Sequence, residues 1–216
     1  MSALSDEEQL NSLKNNTKKY SSTVISGVLI ALIAYSGWTY WQNKQQGEAQ
    51  LQTAKVQQLM DQAATVDVKD DNAWNSLTKT ADEIVKKYPD SVQAIQTQLM
   101  LAKLAFERND YATAEKALIK VENTKVDDQG LIHVVKLRLA YSQLAQDKFD
   151  AALKSLSAVT DPAFKATADE ARGDVYVAKN DIENAKKAYM SAWDGLLERQ
   201  QERQILQIKL ESVGVL

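Results

Sequence analysis

One pattern recurs three times along this chain and decides most of what it can fold into. NDYATAEKALIKV from Asn109, DKFDAALKSLSAV from Asp147 and NDIENAKKAYMSA from Asn180 each open on a polar, helix-starting group. Each then repeats the same offsets: Tyr111, Ala114, Leu118, Val121; Phe149, Ala152, Leu156, Val159; Ile182, Ala185, Tyr189, Ala192. The intervals i, i+3, i+7, i+10 draw one apolar stripe down a helix. The copies start 38 and then 33 residues apart. A helical stripe returning at that period marks a stack of hairpins, because no single hairpin can bury its own stripe.

A partner helix precedes each copy. Leu101-Ala102, Leu139-Ala140 and Arg172-Gly173 occupy matching positions in it. Their small residues allow close approach, and Ala114, Ala152 and Ala185 are expected to meet them. Short polar links such as Arg108-Asn109-Asp110 make the antiparallel turns. A degenerate earlier copy runs through Trp74, Leu77, Ala81, Ile84 and Tyr88 and stops at Pro89, which does not continue a helix. Its partner spans about Glu48 to Val66, with Val56, Leu59, Met60 and Ala63 inward, and Asp67 to Asp71 form the loop. The stretch from Glu198, with Leu206, Ile208 and Leu210, is expected to cap the stack.

These residues resemble the tetratricopeptide repeat, a helical hairpin with small residues at fixed places. The likeness is good over residues 94–193 and weak over 48–90. Two features depart from it. The large residue usual early in the first helix is polar (Gln98, Lys136, Asp169), and the 38-residue spacing is long for the family. In such stacks the first helix of each pair lines the concave face. The resemblance therefore turns Lys103, Phe106, Tyr141, Leu144, Asp174 and Val177 toward a partner groove. A plainer reading leaves Phe106 and Leu144 in the core.

Composition agrees with an all-α body. The chain has only seven Gly and two Pro among its 216 residues, and helix formers dominate. There is no cysteine, which removes disulfides, thiol catalysis, zinc-thiolate sites and a lipid-bearing cysteine. The net charge is −3, and the first 43 residues contribute nothing to it. The body is mildly acidic, so nucleic acid is not an expected partner. His133 is the single histidine and lies within LIHVVKLRLA on an apolar helix. It reads as a packed side chain rather than a base, which needs a placed partner. No cofactor or metal motif occurs. Asp70-Asp71 and Asp127-Asp128 read as solvated helix ends.

From Tyr20 to Asn43 the chain carries no charge. As a helix that run reaches roughly 36 Å, enough to cross a bilayer core of about 30 Å. A cleaved signal peptide is the competing reading, with a small-residue site at Ala34-Tyr35-Ser36. Against it stand the acidic leader (Asp6, Glu7, Glu8) and the aromatic borders. Tyr20 at one end and Trp38, Tyr40 and Trp41 at the other suit the two membrane interfaces. Lys14, Lys18 and Lys19 before the run, against Lys44 and Lys55 after it, favour a cytoplasmic N-terminus. Gly27 and Ala31 make a small-xxx-small pair that suits a neighbouring span. The expected organisation is a cytoplasmic tail (1–19), a transmembrane anchor (20–43) and a periplasmic body (44–216) of three to four hairpins with a C-terminal capping helix.

The tracts LRLAYSQLAQDKFDAALKSL, ARGDVYVAKNDIENAKKAY and QILQIKLESV are similar to the YfgM family of Gram-negative bacteria. That resemblance implies a non-catalytic inner-membrane protein with a periplasmic repeat domain. It also implies association with the SecYEG translocon and with the membrane-anchored periplasmic chaperone PpiD, and a part in passing newly secreted proteins to periplasmic chaperones. An envelope-assembly or cell-division adaptor shares the same plan, and a hydrolase using His133 is the enzymatic alternative.

Overall fold

The computed structural model describes residues 30–44, 51, 53–199, 201 and 203–215. The chain divides into two compact units, residues 1–53 and 54–216.

In the first unit residues 30–44 are helical. Ile30, Leu32, Ile33, Tyr35, Trp38, Tyr40 and Trp41 all stand exposed on that helix. Its hydroxyls turn back onto its own backbone. Ser36 Oγ donates to the Leu32 carbonyl at 2.7 Å and Thr39 Oγ1 to the Tyr35 carbonyl at 3.0 Å. Among the described residues no helix is long and apolar enough to cross a membrane. The expected anchor starts earlier. Its residues 20–29, with Tyr20 and Gly27, lie outside the described residues.

The described part of the second unit is helical throughout, without a strand. After α1 (residues 54–65) come α2 (Asp71–Lys87), α3 (Val92–Glu107), α4 (Tyr111–Ile119) and α5 (Gln129–Leu144). Then follow α6 (Phe149–Ser157), a 3-10 turn at Pro162–Phe164, α7 (Lys165–Ala178), α8 (Ile182–Leu197) and α9 (Gln204–Ser212). Helix pairs α3/α4, α5/α6 and α7/α8 form the three hairpins of the repeat, and α2 packs on α3. Successive hairpins stack through α4 on α5 and α6 on α7.

The starts of these helices follow from short acceptors. Asp70, Ser91, Asp110, Asp128 and Asp181 each accept a backbone N–H of the first turn, satisfying donors that have no partner within the helix. Asp70 and Asp128 are thus the helix ends expected of the acidic pairs. The repeat's own turns are built alike. Asn109, Asp147 and Asn180 take φ of 61°, 55° and 59°, the left-handed conformation that ends a helix. The next residue closes the motif each time. Asp110 N–H donates to the Ala105 carbonyl, Lys148 to Gln143 and Asp181 to Tyr176, at 2.8–2.9 Å. Asn and Asp accept that conformation better than other side-chain-bearing residues.

The repeated stripe is the core. Ala114, Leu118, Val121, Ala152, Leu156, Ala185 and Ala192 are completely buried, and Val56, Leu59, Trp74, Leu77, Ala81 and Ile84 of the degenerate copy are buried. The first position of each stripe departs from this: Tyr111 and Phe149 are half-buried and Ile182 is exposed, because each opens its helix at the edge of the hairpin. One contact differs from expectation. A Cβ placed on Gly173 falls 2.2 Å from the Tyr189 ring, so the small residue of α7 makes room for a large residue of α8 rather than meeting Ala185. Ala102 and Leu118, and Ala140 and Leu156, hold the corresponding positions with the same separation of 16 residues. Where the second member grows from Leu to Tyr, the first shrinks from Ala to Gly. The cap also needs one correction. Leu206 and Leu210 are buried with Val213 against α8, whereas Ile208 is 63% exposed because it lies on the opposite side of α9.

Candidate functional site

Helices α3 and α5, first members of adjacent hairpins, lie side by side and leave a groove of about 810 Å³. From α3 it receives Leu99, Met100, Lys103 and Phe106; from α5, Val134, Arg138 and Tyr141. Both helices carry more apolar residues than one buried stripe requires, and the surplus forms this second face. Leu99, Met100 and Phe106 are half-buried. Phe106 is fixed edge-on to Tyr111, with ring centroids 5.1 Å apart. Lys103 pairs at 3.6 Å with Glu107, one turn along α3, where both are exposed. No ion pair or side-chain hydrogen bond engages Arg138 among the described residues.

Of the six residues expected in a groove, Lys103, Phe106 and Tyr141 come together here. The other three do not line it. Leu144 is half-buried against Leu156 and its neighbours, and Val177 stands on the exposed surface. Asp174 is covered by α9: it accepts the Tyr189 hydroxyl at 2.8 Å and pairs with Lys209 Nζ at 2.7 Å. The line of first helices continues from α7 into α9, which fills the place where another hairpin would begin.

That end of the body is held by buried charge. Glu170, only 4% exposed, accepts from Arg203 at 2.7 Å and from Lys209 at 2.9 Å. Burial disfavours the Lys209 charge, but hydrogen bonds to Asp174 and Glu170 outweigh it and hold the ammonium above the usual lysine range. Burial raises the Tyr141 phenol, and the negative charge of Asp174 adds to the rise. Asp169, one of the polar residues standing where the repeat usually has a large one, accepts from Lys165 at 2.7 Å, Ser191 at 2.8 Å and Arg172. Burial opposes its ionisation, yet these partners keep its carboxyl below the ordinary range. The other two such residues also reach backbone: Gln98 Nε2 to the Ala81 carbonyl at 3.5 Å and Lys136 Nζ to that of Ala158 at 3.2 Å. Polar groups here bridge helices where an aromatic would fill space.

His133 is buried with its ring 5.6 Å from that of Phe164, and its Nδ1 has no hydrogen-bond partner among the described residues. It has the surroundings of a packed side chain. In the first unit Trp38 and Trp41 lie on one side of the helix with centroids 5.6 Å apart, near the equally exposed Tyr40. Reading one stripe per helix missed Leu99, Met100, Val134 and Arg138. The available signal was the excess of apolar positions in VQAIQTQLMLAKLAFE.

Comparison with known proteins agrees with this architecture. The family model described as tetratricopeptide repeat-like domain matches residues 14–215. A Neisseria gonorrhoeae protein named ancillary SecYEG translocon subunit is 27% identical, covering 97% of this chain and 98% of its own. The protein of that name from Aggregatibacter actinomycetemcomitans is 29% identical over 97% and 98% of the two chains. The Escherichia coli one is 25% identical over 85% of each. No solved structure matches.

Proposed function

The chain belongs to the YfgM family, built on a tetratricopeptide repeat-like domain, and on that premise we propose that it is a non-catalytic, membrane-anchored scaffold of the SecYEG translocon. It holds its repeat body in the periplasm and helps pass newly secreted proteins to periplasmic chaperones, PpiD among them. The observation that carries this reading is the open apolar groove between α3 and α5. A scaffold needs a preformed surface of this kind, and nothing about it requires a reacting group. Lys103, Phe106 and Tyr141 are its contact residues, while Leu144, Asp174 and Val177 lie on the same line of first helices outside the groove.

The anchor is residues 20–43. The helix at 30–44 supports it, because large apolar residues cover its exposed surface and its hydroxyls are satisfied internally. Trp38, Tyr40 and Trp41 sit at the outer interface and Tyr20 at the inner one. The tail 1–19 stays in the cytoplasm, and the body 44–216 lies in the periplasm. Crosslinking the full chain in intact cells, followed by mild detergent extraction and mass spectrometry, tests the assignment. Translocon subunits with a membrane-anchored chaperone are the expected yield. Cell-division or outer-membrane assembly proteins in their place would overturn it. A reporter joined after Leu216 is expected to be active only outside the cytoplasm.

A further inference from the structure

We propose that the α3–α5 groove takes one short amphipathic helix of a partner protein, its apolar stripe on Leu99, Met100, Phe106 and Val134 and one carboxylate on Arg138. The inference rests on the scaffold reading and adds the chemistry of the segment recognised.

Three observations carry it. The first is the floor. The polar side chains lining the groove are Lys103, Glu107, Arg138 and Tyr141, with no side-chain amide among them. An extended peptide would bring unpaired backbone N–H and C=O groups onto this apolar surface, where they lack partners. A helix arrives with its backbone satisfied and offers a stripe at i, i+3, i+4, i+7.

The second is charge. Along the same line of first helices each neighbouring ion already has a partner. Lys103 has Glu107, and Glu170 and Asp174 hold Arg203 and Lys209. Arg138 is exposed at the groove's edge and is engaged by no ion pair among the described residues. A carboxylate on the incoming helix supplies the missing charge and accepts two parallel N–H bonds from the planar guanidinium.

The third is α9, which shows this mode of recognition within the chain. It is a helix of nine residues that buries Leu206 and Leu210 and places Lys209 on Asp174 of α7. The α3–α5 groove offers the same combination with the sign reversed: an apolar bed and the cation Arg138 in place of the anions Glu170 and Asp174.

The test uses the full chain in lipid nanodiscs and three fluorescein-labelled helical peptides. They share a leucine stripe at i, i+3, i+4, i+7 and carry Glu, Gln or Lys at one rim position. Fluorescence anisotropy is expected to rank them Glu, Gln, Lys, with a gap of about three- to fivefold between Glu and Gln, as suits a pair at an exposed rim. Arg138→Gln is expected to erase the gap between Glu and Gln, and Phe106→Ala to weaken all three. Equal binding of the three peptides, or binding indifferent to Phe106→Ala, overturns the proposal. So does concentration-dependent self-association of the chain that Arg138→Glu abolishes, since the groove would then hold a second copy. Should the peptides fail while translocon subunits still co-purify with the wild-type chain, only this inference falls. If the Glu preference holds and no translocon subunit co-purifies, the scaffold reading falls instead.

Discussion

Gly173→Ala tests the packing of the repeat at its tightest point. In an exposed helix the change would stabilise by about 1 kcal/mol through propensity. Here the new methyl would sit 2.2 Å from Tyr189 Cε1 and 2.3 Å from Cδ1, far inside carbon–carbon van der Waals contact. Either α7 and α8 separate or the ring turns away. Overpacking of this kind costs about 1–3 kcal/mol. A displaced ring also gives up the hydroxyl bond to Asp174, worth about 1.5–3 kcal/mol for a charged acceptor. The net loss is about 3 kcal/mol, a fall in Tm of roughly 6–12 °C for a body this size. Tyr189→Leu alone is expected to lose a similar amount, through a cavity and the same bond. Combined, they place Ala and Leu at the positions that Ala102/Leu118 and Ala140/Leu156 hold in the other two hairpins, so the double variant is expected to be at least as stable as either single one. Thermal and urea unfolding of the full chain by circular dichroism measures all four corners of that cycle. A Gly173→Ala protein more stable than wild type, or losses that simply add, would refute the complementary-size argument.

The turns and buried charges of the body dictate three further outcomes. Asp147 takes a left-handed φ of 55° and has no side-chain hydrogen bond among the described residues, so Asp147→Gly is expected to stabilise by about 1 kcal/mol; an unchanged or lower urea midpoint would contradict it. Asp169 has a depressed carboxyl pKa, so its stabilisation is complete above the ordinary carboxylate range and disappears as pH falls through the folded value. Tm measured from neutrality down to about pH 2 should therefore drop steeply for wild type and more shallowly for Asp169→Asn, which starts lower. Lys209→Met leaves Asp174 and part of Glu170 without a cation and is expected to cost about 2 kcal/mol, at or below the low end for a broken buried pair because Arg203 remains. Hydrogen exchange should then rise first in α9, and uniform protection there would count against the latch.

The threefold stripe was legible because periodicity reports the one face that must be buried, and the positions it selected became the core from Ala114 to Ala192. The turns were legible for a related reason: the conformation that ends each first helix tolerates few residues, and Asn109, Asp147 and Asn180 are of that kind. The groove was only half legible. Family likeness located the line of first helices, which found Lys103, Phe106 and Tyr141. It could not tell where that line is closed, because α9 lacks the repeat pattern and its role depends on Lys209 and Arg203 meeting Glu170 and Asp174 across 33 to 39 positions of sequence. The same fact explains the polar residues that departed from the repeat. Asp169 stands in place of a large apolar residue because it has Lys165, Arg172 and Ser191 around it, so a charged network carries what shape complementarity carries elsewhere in the stack. One consequence separates the two ends of the first-helix line. Over α7 the chain satisfies its own acids and leaves little for a partner, whereas over α5 it leaves Arg138 and an apolar bed open, so substitution of the exposed Arg138 should affect binding while leaving the melting temperature nearly unchanged.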